Sequence, residues 1–264
     1  MEKSVLITGV SGGMGLSTAK KFISCGYKVY GLDIREPKES IDGLEFIKTD
    51  LTKLEEVESA FNIVKDKLDF IINTVGIYDL NSLIEISEEK FIRIFNVNVF
   101  SIYRVNKTFI PLLKEGGRII MVSSELAPLD PLPFTGLYAI TKSTIEKYAY
   151  SLRMELQLLG YKVILIRPGA VDTGLIEVST DKLDKFTEST THYQYNAKRF
   201  KKVVDSVESK KISPDKIANL IYKASQKKRP KYVYKINRNK GLLLLNMLPK
   251  SWQHRIIKKI LKNK

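Results

Sequence analysis

Tyr138 and Lys142 stand four residues apart, one helical turn, so a phenol and an ammonium share a helix face. The apolar run Ile119-Ile120-Met121-Val122 before them reads as a buried strand, and it delivers two hydroxyls, Ser123 and Ser124, at its C-terminal end. Serine, tyrosine and lysine meeting at one sheet edge can move a proton to or from an alcohol oxygen. The same Tyr-x-x-x-Lys spacing recurs at Tyr103 and Lys107, but no serine-bearing strand precedes it, so that pair reads as helix surface.

Those side chains need a scaffold, and its opening is at the N-terminus. Ser4-Val5-Leu6-Ile7 is a short apolar strand, followed by Thr8-Gly9-Val10-Ser11-Gly12-Gly13-Met14-Gly15 and an amphipathic stretch from Leu16 to about Cys25. Strand, glycine turn and helix together cradle a pyrophosphate, because the backbone can approach closely and the helix N-terminus offers free N–H groups. Tyr27–Asp33 reads as a second strand ending in an acid, about twenty residues beyond the loop. A carboxylate there accepts hydrogen bonds from a ribose 2′-hydroxyl and repels a 2′-phosphate, which favours NAD over NADP. Arg35, close by, is the residue that speaks for NADP.

With these residues in place the chain resembles the short-chain dehydrogenase/reductases over about residues 4 to 175. Gly9, Gly13 and Gly15 match that family's glycine loop, and Asp50-Leu51 resembles its adenine-contacting segment. Asn73-Thr74-Val75-Gly76 resembles its Asn-Asn-Ala-Gly segment with two departures in the middle. Asn98 falls at the active-site Asn, and Ser124, Tyr138 and Lys142 at the catalytic set. Pro168-Gly169 with Val171 and Thr173 matches the cofactor-side loop. The Ser124–Tyr138 interval is one residue longer than usual, a difference the loop 126–133 is expected to absorb, with Ser123 as the substitute hydroxyl.

The resemblance implies a dinucleotide held by Thr8, Gly9, Ser11, Gly12, Gly13, Met14, Gly15, Asp33, Asp50, Leu51, Asn73, Gly76, Pro168, Gly169, Val171 and Thr173, with Tyr138 and Lys142 at the nicotinamide end. It implies Tyr138 as general acid/base, Ser124 on the substrate oxygen, Lys142 on the nicotinamide ribose and Asn98 positioning a water. It also implies a homodimer or homotetramer. A free phenol titrates near about 10, so a neighbouring ammonium must favour the phenolate.

At 264 residues, with apolar strands alternating with helical segments, the expected fold is α/β: a Rossmann-type doubly wound parallel sheet in one domain, 1–235. A lid is expected at about 174–207 and a basic C-terminal extension at 236–264. One cysteine, Cys25, rules out an intrachain disulfide and fits a reducing cytoplasm. The first strand begins at once, which leaves no room for a signal peptide. His192 and His254 are too far apart in sequence to give metal-ligand spacing, so no metal is expected.

The lid mixes Leu175, Ile176, Phe186, Tyr193, Tyr195 and Phe200 with polar residues, and Ala127, Leu129, Leu132, Pro133 and Phe134 add apolar surface beside Tyr138. A lipophilic secondary alcohol or its ketone, of steroid, retinoid or fatty type, is therefore expected rather than a sugar. From Lys210 onward the chain carries seventeen Lys and Arg against one acid, Asp215, while the rest has twenty-seven bases and twenty-eight acids. In its last helix Trp252, Ile256, Ile257, Ile260 and Leu261 are expected on one face. A basic amphipathic helix of this kind suits an anionic membrane surface, and Arg229-Pro230 with Tyr234 resembles the tail of the retinol and 17β-hydroxysteroid dehydrogenase branch. Nucleic acid is disfavoured because no recognised binding module accompanies the charge. Two other functions remain open: an NADP-dependent ketone or 3-oxoacyl reductase, and a non-catalytic NAD-binding protein brought to a membrane surface by its basic tail.

Overall fold

A computed structural model describes residues 3–173, 183–208 and 211–262. Seven strands form one sheet: β1 (Ser4–Thr8), β2 (Lys28–Asp33), β3 (Leu44–Lys48), β4 (Leu68–Asn73), β5 (Leu113–Val122), β6 (Lys162–Pro168) and β7 (Val233–Ile236). Their spatial order is β3-β2-β1-β4-β5-β6-β7, and every pairing is parallel. Near-continuous apolar runs such as Val-Leu-Ile in β1 and Val-Ile-Leu-Ile in β6 suit strands buried on both faces.

Strand alternation assigns the two faces. Leu6, Ile71, Ile119, Met121 and Leu165 join the core beneath α2 (Leu54–Ile63), α4 (Ser101–Phe109) and α5 (Gly136–Leu156). Their neighbours Val5, Ile72, Ile120, Val122 and Ile166 face the opposite way, against α1 (Gly13–Ile23) and α8 (Pro214–Gln226). Between β1 and β4 the chain's winding reverses, and α/β sheets bind ligands in the crevice at the carboxyl ends of the strands there. Thr8, Asp33, Asn73, Val122 and Pro168 are those carboxyl ends.

A third, smaller core lies above that edge. Leu183 and Phe186 from the helix 183–189 (α6) pack with Ala197 and Phe200 of α7 (Gln194–Glu208) and with Leu80 and Leu261. Of the expected lid, residues 174–182, including Leu175 and Ile176, lie outside the described residues. After β7 come α9 (Lys240–Met247) and α10 (Lys250–Leu261).

The single apolar face expected for α10 is not what forms. Ile257 and Leu261 turn into the third core, whereas Trp252 and Ile260 stay 57% and 48% exposed. At about 100° per residue the five apolar positions cover more than one stripe, and docking against α7 takes only the inner part.

Candidate active site

Gly9 turns the chain sharply out of β1 at φ +77°, a conformation that costs a non-glycine residue dearly, and its N–H donates to the Leu32 carbonyl at 2.8 Å. A Cβ on Gly15 would sit 2.0 Å from the Gly9 carbonyl oxygen, so loop and helix can approach only with glycine there. Gly12 begins α1 with no side-chain cap, and the first turn carries no acid. Its backbone N–H groups and dipole therefore present an anion site. Gly13 packs beneath Thr173, whose methyl lies 3.0 Å from where a Cβ would stand, and Met14 reaches the cavity below.

The Asp33 carboxylate accepts the N–H of Ser11 at 3.0 Å and of Arg35 at 3.1 Å, and the Ser11 hydroxyl donates to the Arg35 carbonyl. The acid thus ties β2 to the glycine loop. One Asp50 oxygen takes both the N–H and the hydroxyl of Thr52, at 2.9 and 2.6 Å, while Leu51 is buried in the first core. Asn73 donates to Asn106 at 2.8 Å; its own carbonyl oxygen and the Thr8 hydroxyl are buried without a partner. Uncapped helix terminus, close glycine backbone and carboxylate at the end of β2 together fit a dinucleotide.

The side chains first picked out by spacing converge at the end of β5. Ser124 and Tyr138 line the same cavity, and Lys142 places its ammonium 5.7 Å from the Tyr138 ring centroid and 3.3 Å from the Val122 carbonyl. Ser123 is committed elsewhere: it donates to Glu146 at 2.9 Å, and Glu146 is held by Arg167 through two contacts of 2.6 Å. Burial pushes the Tyr138 phenol up to about 12, opposed by the Ser124 hydroxyl, and pushes Lys142 down to about 8. Both shifts favour neutral side chains, the opposite of a ready phenolate.

Asn98 sits in a π-turn, Asn96–Phe100, between α3 (Glu88–Phe95) and α4. Its carboxamide accepts from the Ile77 N–H at 2.7 Å and donates to the Ile77 carbonyl at 2.9 Å and to Thr141 at 3.1 Å. Gly76 completes this wall, for a Cβ there would lie 3.2 Å from the Lys142 ammonium and 3.5 Å from Asn98. The long loop after Ser124 closes at Phe134, whose backbone has φ +68° and whose carbonyl accepts from Asn81 at 3.0 Å. Tyr103 and Lys107 stand exposed on α4.

Tyr138 opens into a cavity of about 210 Å³ between Ser124, Pro168, Gly169, Val171 and Thr173. Several of its walls escaped the sequence reading. Tyr78 meets Tyr138 edge-to-face at 4.7 Å, and Leu242 arrives from α9. Val203 and Val204 join Phe200 from α7. Glu125 is buried beside Ser124, its carboxyl raised by desolvation and accepting the Asn239 N–H at 2.6 Å. No spacing rule links positions so distant in sequence; the acid straight after Ser124 was the one local signal.

A Rossmann-type sheet with a cradle that fits a dinucleotide, and a Ser-Tyr-Lys cluster at the end of β5, point to a nucleotide-dependent oxidoreductase. A family model described as short chain dehydrogenase matches residues 3–184, and the chain belongs to that family, whose members are enzymes that bind an NAD(P) nucleotide. Among its relatives, a 3-ketodihydrosphingosine reductase of Bacteroides thetaiotaomicron is 27% identical over 237 residues, covering 88% of this chain and 87% of the relative. Estradiol 17-beta-dehydrogenase 2 of Mus musculus is 32% identical over 201 residues, 70% of this chain and 52% of that protein. A short chain dehydrogenase family protein from Francisella tularensis shares the fold with TM-score 0.74 at 24% identity, covering 89% of this chain and 97% of its own.

Proposed function

We propose that the protein interconverts a lipophilic secondary alcohol and its ketone with NAD. The convergence of Ser124, Tyr138 and Lys142 on an apolar cavity carries this assignment. A bound nicotinamide supplies the hydride carrier. Ser124 hydrogen-bonds the substrate oxygen and stabilises its charge, and the Tyr138 Oη gives or takes the proton there. Lys142, held at the Val122 carbonyl beside Gly76, lowers the cost of the phenolate while it stays protonated. Asn98 fixes the Ile77 backbone and Thr141, and so the wall behind Lys142.

Asp33 at the tip of β2 supports NAD. Arg35 beside it is the observation that favours the NADP-dependent reductase alternative. Asp33→Asn is expected to move nucleotide preference toward NADP; an unchanged ratio of the two would remove the support from Asp33.

The basic α10, with Trp252 and Ile260 exposed among Arg255, Lys258 and Lys259, supports peripheral contact with an anionic membrane. Among the described residues no helix is long and apolar enough to cross a membrane.

The deciding experiment follows nicotinamide absorbance with NAD⁺ and NADP⁺ against steroid, retinoid, fatty and polyol alcohols, with Tyr138→Phe alongside. NADH formed from a lipophilic alcohol, and abolished in the variant, is the expected result. Turnover at an unchanged rate in Tyr138→Phe would sink the assigned chemistry.

A further inference from the structure

We propose that the catalytic cavity continues into a second apolar cavity under α9 and α10, which holds the unbranched hydrocarbon chain of a lipid substrate taken from an anionic membrane surface. This deepens the lipophilic-alcohol assignment and rests on it for the identity of the reacting end.

The second cavity has a volume of about 550 Å³. It shares Leu132, Phe200, Val203 and Leu242 with the catalytic cavity, so these side chains stand between the two, and the proposal makes them the neck through which a chain passes. Beyond the neck its lining is Pro133, Gly241 and leucine and isoleucine from α9, α10 and the turn between them, with Asn239 as the one polar side chain among the described residues. The Asn239 oxygen is occupied in capping α9, accepting the Leu242 N–H at 3.0 Å. A sugar, phosphate or peptide would find little there to replace its hydrogen bonds to water, whereas a methylene chain loses none.

The outer end of this cavity reaches the surface. Leu244 and Ile260 line it and are nonetheless 64% and 48% exposed. Met247 follows Leu244 by three residues on α9, and Trp252 stands eight before Ile260 on α10; both are exposed too. Exposed apolar side chains grouped at a cavity mouth mark a contact surface. Around them α10 carries Arg255, Lys258 and Lys259 and no acid, so the complementary surface is anionic. A chain entering there passes from bilayer to neck without crossing water.

The test titrates the protein, with and without NADH, with unbranched methyl ketones lengthened one methylene at a time, read by calorimetry. Affinity should rise about fourfold per added methylene and keep rising after the catalytic cavity alone is full. Leu245→Trp fills the second cavity without touching Ser124, Tyr138 or Lys142, and should cut the rise short while leaving short-chain affinity unchanged. Leu248→Trp serves the same purpose should that variant not fold. A wild-type profile that levels off at short chains, or a long-chain profile untouched by either variant, overturns the proposal.

Ketone presented in phosphatidylglycerol vesicles should be reduced faster than ketone in phosphatidylcholine vesicles, and equal rates would remove the membrane source. Calorimetry needs no turnover, so the two proposals separate. Chain-dependent binding without hydride transfer refutes the proposed reaction alone; turnover with a flat chain profile refutes the channel alone.

Discussion

At the residue scale the site runs against its own burial. Lys142 is lowered from an ordinary 10.5 to about 8, so folding disfavours its charged form. Its contribution to stability is therefore a penalty below pH 8 that fades as pH rises toward 10.5, where the unfolded chain also loses the proton. Lys142→Met should unfold at higher denaturant than wild type near neutral pH, by up to about 3 kcal/mol, with turnover lost. That gain should shrink to nothing by pH 10.5, and denaturant titrations across this range check the sign. Tyr138 works in reverse: with its pKa raised from 10 to about 12, its stability contribution is intact below pH 10 and falls away above it. The two serines should part company as well. Ser124→Ala should lower kcat roughly a hundredfold or more, whereas Ser123→Ala, which removes only the bond to Glu146, should keep most turnover.

At the element scale, two close approaches hold the site together. Gly15→Ala forces a Cβ to 2.0 Å from the Gly9 oxygen, and the glycine loop must leave α1. NADH binding, followed by nucleotide fluorescence, should disappear in that variant while the far-ultraviolet circular dichroism stays near wild type. The π-turn carrying Asn98 is the second device, because one carboxamide satisfies both backbone groups of Ile77. Asn98→Ala leaves those groups unpaired and should cost about 1–3 kcal/mol in urea unfolding. Asn98→Asp should not restore the loss, since a carboxylate cannot donate to the Ile77 carbonyl.

At the scale of the whole molecule, charge and apolar surface coincide at one end. The sole tryptophan, Trp252, stands there and reports on it directly. Its emission should shift to the blue with phosphatidylglycerol vesicles and stay put with phosphatidylcholine. Molar salt should weaken the response without erasing it, since screening removes the ionic part of binding but not the apolar part. An unchanged spectrum with both lipids would remove α10 as a membrane contact.

Order, spacing and periodicity along the chain were enough to determine the parallel sheet, the glycine loop between β1 and α1, and the pairing of Tyr138 with Lys142. Each depends on neighbours within a few residues, where strand alternation and helical repeat decide which side chains meet. Only the tertiary structure tied Ser123 to Glu146, because that bond rests on Glu146 and Arg167, which reach the end of β5 from α5 and β6. Likewise it alone divided the apolar residues of α10 between core and surface, and brought Leu242 and Phe200 to the same cavity as Tyr138. Those placements are set by packing among elements far apart in sequence, and no pattern within a single segment contains the partner it will meet.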